Sequence, residues 1–214
     1  MITGEIPVLY SDAALAVCIK PAGVLSEASG MPALLAAQLG GEFFCVHRLD
    51  RDVGGVMVYA RTAAAAAALS RQIAACQFHK EYLAVVQGRP TEDSATLRDL
   101  LFWDRTKNKS FVVKRQRGGV KDAELEYSLL EALPELSLLR VILHTGRTHQ
   151  IRVQFSSRAL PLVGDVKYGS RYRDCALALW SHSLGFRHPV TDKAMSFSAM
   201  PEPVFPWNGF EYFK

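Results

Sequence analysis

Residues 47–74 read "HRLDRDVGGVMVYARTAAAAAALSRQIA", and the architecture on either side follows from how this stretch is understood. Val56, Met57 and Val58 make a short apolar run between Gly54-Gly55 and Arg61-Thr62, the pattern of a buried strand over 54–61. Thr62 stands as an N-cap before a run of alanines, the best helix formers, so a helix follows at once. Ahead of the strand, positions 47–52 hold two arginines, two aspartates and a histidine. The question is what so much charge does at the mouth of a core strand.

Working outward, "ALAVCIKPAG" (14–23) is a strand stopped by Pro21 and Gly23, and "MPALLAAQLGG" is a helix with Gly40 just past its end. "KEYLAVVQG" (80–88) is a further strand. Residues 95–143 are mostly strands: "ATLRDLLFW", "SFVVKRQ", "DAELEYSLLEAL" and "LSLLRVILH", with "RGG" a hairpin-like turn between the middle two. "RTHQIRVQFSSRA" has helical spacing, with Ile151 and Phe155 four apart, and strands return at "ALALWSHSLGF" and "AMSFSAM". This order does not alternate as a βα fold does. It predicts an α+β fold with a mixed, largely antiparallel sheet. With no repeat and no Gly-, Pro- or Ser-rich linker, one domain over 1–214 is the expectation.

Composition narrows the partners. Of 214 residues 49% are hydrophobic, enough for a core, and the net charge is +4 with a pI near 8.9. Sixteen arginines stand against nine lysines, and arginine is favoured where a planar fork grips phosphate or stacks on a base. Cys18, Cys45, Cys76 and Cys175 form no CxxC pair and have mostly apolar neighbours, which predicts buried free thiols in a reducing compartment rather than a zinc site. No basic leader or membrane-length apolar run is visible, so the cytoplasm is the expected location and no membrane partner is expected.

A charged loop is ordinarily a solvated turn whose ion pairs contribute little. Here Leu49 lies within the charge, so the loop rests on the core, and Gly54-Gly55 permits close backbone approach. A second charged stretch, "HTGRTHQIRVQF" (144–155), raises the same question. Arg147 and Arg152 are five apart and cannot share a helix face, whereas His149 and Arg152, three apart, can. Arg152, between Ile151 and Val153, emerges from a half-buried face and needs an anionic partner, for which Asp50 is a candidate.

Taken together, "VLYSDAALAVCIKPAGVL", "HRLDRDVGGVMVYART", "HKEYLAVVQG", "GRTHQIRVQFSSRALPLVGDVKYG" and "LWSHSLGFRHP" resemble the RluA-type pseudouridine synthases, which isomerise uridine in ribosomal and transfer RNA. The resemblance covers nearly the whole chain in the family's order. It implies the pseudouridine synthase fold, a bent sheet flanked by helices with an active-site cleft across it. It makes Asp50 the catalytic aspartate, Tyr82 the active-site tyrosine and Arg152 the aspartate's partner. His47, Arg48, Arg147, His149 and Gln150 become the RNA-binding set. The expected partner is ribosomal or transfer RNA; no cofactor or metal is implied, and nothing demands more than a monomer. Three departures stand out: Val53-Gly54 where the family usually has Thr-Ser, Gln154 where it usually has His or a similar polar residue, and no S4-type RNA-binding module ahead of the domain.

The implied reaction breaks the N1–C1′ bond of a uridine, turns the uracil and rejoins it through C5. The protein must extract the nucleotide, exclude water and supply an anion near C1′ and C2′. Asp50 would be that anion, as nucleophile or base; Arg152 would keep it ionised, and Tyr82 would stack on the uracil. A non-catalytic RNA-binding protein with the same fold is the alternative, motivated by Val53-Gly54. A zinc nucleobase deaminase is excluded because its H-x-E and P-C-x-x-C signature is missing. One further stretch, "DRTKNKSFVVKRQRGGVK" (104–121), carries seven Lys or Arg against one acid and reads equally as a solvated hairpin or a phosphate contact.

Overall fold

The computed structural model describes residues 5–27 and 29–214. Two compact units make up the chain: one runs up to Lys80 and takes in Trp180–Pro201, the other is Glu81–Leu179 with Glu202–Lys214. Each is built from two separate segments, so neither is a contiguous stretch of sequence.

In the first unit, β1 (Val8–Ser11), β2 (Leu15–Lys20) and β4 (Gly54–Ala60) form an antiparallel ladder with Val17 opposite Val58. The far edge of β4 is shared end to end. β3 (Phe44–Cys45) pairs antiparallel at Ala60 and Tyr59, and β10 (Leu179–Arg187) pairs parallel at Gly54 and Gly55. β11 (Ala194–Ser198) closes a hairpin on β10. All seven residues of β4 are buried, as its apolar run predicts. Two helices accompany this sheet. α1 (Met31–Leu39) ends at Gly40, whose φ of 68° suits glycine. α2 (Ala63–Ala74) is capped by Thr62, whose hydroxyl accepts from the Ala65 N–H at 3.1 Å. α2 sets Ala65 and Leu69 into a core with Val17, Val56, Val58, Phe78, Leu184 and Phe186.

In the second unit, β5 (His79–Gln87), β9 (Leu136–Leu143), β8 (Val120–Ala132), β6 (Ser94–Asp104) and β7 (Lys109–Val113) follow one another in that order, all pairs antiparallel. The hairpin-like turn expected at "RGG" does not join β7 to β8. Both strands pair with β6 instead, one on each edge, because β6 is eleven residues long and closes its own tight turn onto β7. The Asp104 carboxylate makes that turn by accepting from the Thr106 and Lys107 N–H groups. α3 (Gln150–Ser156) lies against β6 and β7, with Val153 packed on Leu101, Ala123 and Tyr168.

The fold is therefore α+β with a largely antiparallel sheet, as the element order predicts. The cysteines are free, but of the four Cys18 alone is buried; Cys45 and Cys175 are half-buried, and Cys76 is exposed just beyond the last turn of α2 at a φ of 55°. No helix among the described residues is long and apolar enough to cross a membrane.

Candidate active site

Asp50 lies on the connection from β3 to β4, and its neighbours on both sides are tied down. The Leu49 N–H donates to the Ser26 hydroxyl at 3.0 Å, and that hydroxyl donates back to the Leu49 carbonyl at 2.8 Å. Ser26 is fixed in turn by the fully buried Tyr59, whose hydroxyl donates to its carbonyl. After Asp50, the Arg51 carbonyl accepts from the Gly23 N–H at 2.8 Å and from Lys20 Nζ at 3.0 Å. The Val53 N–H closes a turn onto the Asp50 carbonyl. The aspartate thus rides on a loop with little freedom, half-buried itself, with Leu49 in the core beneath it.

Lys20 is a site residue that the sequence reading treated only as a strand end. Its side chain is fully buried, and Nζ donates to three carbonyls, Pro21, Val24 and Arg51. Burial pushes its pKa down to about 8, against the pull of the Asp52 and Asp50 charges. The Lys20 amine thus ties the residue after Asp50 to the turn at 21–24 and interacts with the Asp52 and Asp50 charges. Lysine beside a Pro-Ala-Gly turn was the available signal, but nothing local says that the amine turns inward.

His47 is held by its own unit. Nε2 accepts from the Val58 N–H at 3.1 Å, the ring stands edge-on to Phe78, and burial pushes its pKa down to about 3, so it is neutral. Arg48 is exposed and donates to Glu27 at 3.0 Å. The departure at Val53-Gly54 also has a structural counterpart. A Cβ at Gly54 would stand 2.5 Å from Cζ3 of Trp180, and Gly55, at a φ of 122°, lies against the Ser181 backbone. The Trp180 ring fills the space where a serine side chain would begin.

In the second unit, Tyr82 is buried on β5 opposite Val141. Arg152 is buried on α3 and forms a bidentate pair with Asp165, Nε to Oδ2 at 2.6 Å and Nη2 to Oδ1 at 2.8 Å, while its guanidinium also stacks 5.1 Å from the centre of the Tyr168 ring. Asp165 is the second residue that sequence reasoning passed over, although "VGDVKYG" was within view. Tyr168 belongs to the same cluster: its hydroxyl meets His149 Nδ1 at 2.9 Å and accepts from the Ser110 N–H at 2.8 Å.

His149 does not share a helix face with Arg152. It precedes α3 in the left-handed conformation, φ 55°, so the expected helix begins three residues late, at Gln150. Gln150 is buried and ties the loop before it to β8. Its carbonyl oxygen accepts from the Thr145 hydroxyl and the Arg147 N–H, and its amide donates to the Glu124 carbonyl. Arg147 is half-buried and donates to the Asp122 carbonyl at 2.8 Å. At the remaining departure, the Gln154 amide donates to the Leu97 carbonyl and to Asp99, joining α3 to β6.

The family model for RNA pseudouridylate synthase matches residues 14–157, a span that takes in Asp50, Tyr82 and Arg152. Among curated proteins, the chain is 34% identical to the ribosomal large subunit pseudouridine synthase D of Zymomonas mobilis, over 92% of this chain and 70% of that one. It is 31% identical to the ribosomal large subunit pseudouridine synthase C of Haemophilus ducreyi, over 90% of this chain and 64% of that one, so it spans about two thirds of such relatives. Among solved structures, human RNA pseudouridylate synthase domain containing 1 superposes with a TM-score of 0.81 at 25% identity, covering 96% of this chain and 88% of that one. With its sequence motifs, its fold and a match over most of its length in agreement, the chain belongs to the RNA pseudouridylate synthase family.

Proposed function

We propose that this protein isomerises uridine to pseudouridine in large-subunit ribosomal RNA in the cytoplasm, with Asp50 as the catalytic carboxylate. The observation that carries the reading is the Asp50 loop: Leu49 and Arg51, on either side of it, are anchored through Ser26, Gly23 and Lys20. Such anchoring is what holding one reactive group at a fixed distance from a ribose demands. The choice of RNA follows the names of the two ribosomal relatives.

Asp50 supplies the anion at the sugar carbon while the N1–C1′ bond breaks. The uracil turns, C5 bonds to C1′, N1 gains a proton and C5 loses its own. Tyr82 stacks on the extruded uracil and Arg152 keeps Asp50 ionised, with Asp165 setting the plane of the guanidinium through two of its five N–H donors. Arg48, exposed on the same loop as Asp50, and Arg147 and His149, at the entry to α3, serve the surrounding RNA. His47 and Gln150, whose polar atoms are turned inward, hold the two loops from beneath.

The test is tritium release from RNA carrying 5-tritiated uridine. Asp50→Asn is expected to reduce release to background while RNA affinity stays within about threefold. Turnover that survives Asp50→Asn would remove the assignment. A wild-type protein that binds RNA and forms no pseudouridine would make the chain a non-catalytic RNA-binding protein.

A further inference from the structure

Residues 104–121 concentrate seven cations against one acid, and unlike six of the arginines elsewhere these cations are not matched to carboxylates. Arg48, Arg89, Arg98, Arg158, Arg171 and Arg187 each meet a carboxylate, at Glu27, Asp93, Glu124, Asp99, Glu135 and Asp192. Arg105, Lys107, Lys109, Lys114, Arg115, Arg117 and Lys121 form no salt bridge among the described residues. All but the half-buried Lys109 are exposed. The one acid of the stretch, Asp104, is turned onto the Thr106 hydroxyl and the Thr106 and Lys107 N–H groups. Against the single carboxylate of Asp104, whose charge interacts with that of Lys107, the stretch keeps a net positive field that an anionic partner would complement.

The strands bring several of these cations to one face, although Lys121, in register with Leu101, belongs to the other. Phe102 on β6 lies opposite both Phe111 on β7 and Val120 on β8, so the three side chains share one face of the sheet, while Leu101 and Ala123 on the other face pack with Val153 and Tyr168. On the Phe102 face the cations cover rings: Lys107 stands 5.6 Å from the centre of Phe111 and Arg117 4.9 Å from that of Phe102, while Lys109 lies between the faces, 5.8 Å from Phe111 and 4.8 Å from Tyr168. The rings hold the long stems in place and lower the entropy lost when the charged ends engage a ligand. The same end of the unit includes Lys167, whose Nζ donates to the Asn108 carbonyl, and Lys109, whose Nζ donates to the Lys167 carbonyl.

We infer that this outer face of β6, β7 and β8 is a docking surface for the phosphodiester backbone of substrate RNA, gripped by Lys107 and Arg117 on that face and by the exposed Lys114 just past β7. The inference rests on the proposed activity for its choice of RNA over an acidic protein segment. Seven cations against one acid match a chain that bears a negative charge on every nucleotide, and rings interleaved with cations suit nucleic acid.

The experiment compares wild type with Lys107→Gln/Lys114→Gln/Arg117→Gln, filter-binding an in vitro transcript of large-subunit ribosomal RNA across a salt series. A control, Arg89→Gln/Arg187→Gln, neutralises two arginines that already face carboxylates. Three lost phosphate contacts are expected to flatten the slope of log K against log salt by about two, with affinity near 0.1 M salt down by about tenfold. KM for tritium release rises in step and kcat at saturating RNA is unchanged. An unaltered slope and affinity in the triple variant, or an equal loss in the control, overturns the docking surface, whether or not an acidic protein binds there. The two readings fail separately: an inactive wild type whose RNA binding still depends on these three cations would sink the proposed activity and leave the docking surface standing.

Discussion

The Asp50 loop and the turn into α3 are both dense in charge, and they are held by different means. Residues 47–53 are secured largely through backbone groups, Leu49 to Ser26 and Arg51 to Gly23 and Lys20, with the His47 ring accepting from Val58 on β4. Residues 145–152 are secured by side chains, the Gln150 amide on the loop and the buried Arg152–Asp165 pair on the helix. Backbone bonds locate the loop that carries Asp50. A buried guanidinium must itself be paired, and Asp165 fixes the plane of Arg152. The first region is placed by neutral groups and one buried ammonium, the second by a pair of opposite charges.

The largest expected effect breaks the second arrangement. Asp165→Asn removes the carboxylate that holds Nε and Nη2 of the buried Arg152, and breaking such a pair by removing one partner costs about 3–5 kcal/mol. Urea unfolding measures this directly, and a loss under about 1 kcal/mol would mean that the pair does not hold the helix entry as described. Next comes Gly54→Ser, which drives a Cβ into the Trp180 ring. Overpacking of this kind costs about 1–3 kcal/mol, and a smaller side chain at 180, as in Gly54→Ser/Trp180→Leu, should recover part of it. If the second change only adds to the loss, Trp180 is not what excludes the hydroxyl.

Ser26→Ala tests the backbone scheme, because it strips both bonds from Leu49. A loss of about 1–2 kcal/mol is expected, with kcat falling more than RNA affinity. The smallest effect is a pH dependence. The Lys20 pKa is near 8 in the fold against 10.5 as its ordinary value, so between those limits the unfolded chain holds the extra proton. Stability relative to Lys20→Met should therefore rise with pH across that window. Activity should fall over the same window as the loop loses its cation, and Lys20→Met should lack that alkaline fall. Parallel pH profiles for the two proteins would show that Lys20 acts only as a support.

Legibility followed the range of the interaction. The capped helix after Thr62, the strand at 54–60 and the helix stop at Gly40 were readable because each depends on residues a few positions apart. The pairing of β7 was not, since the turn at 117–119 looks like a hairpin whether or not a third strand has taken the intervening edge. His149 followed the helical period in sequence, yet its left-handed backbone puts the helix start at Gln150. Lys20 and Ser26 lay outside any charged motif, 31 and 23 residues from the carbonyls that they hold.

By itself, then, the sequence determined the element types, the α+β class and the motifs that carry Asp50, Tyr82 and Arg152, because propensity, capping and apolar period are local properties of the chain. Only the tertiary structure decided which carbonyls Lys20 would reach, that Asp165 would take Arg152, that Trp180 would stand against Gly54, and that the cations of 104–121 would share one end of a sheet. Those outcomes depend on which segments burial brings together. A buried charge or donor takes whichever partner the packing supplies, and sequence spacing does not encode that partner.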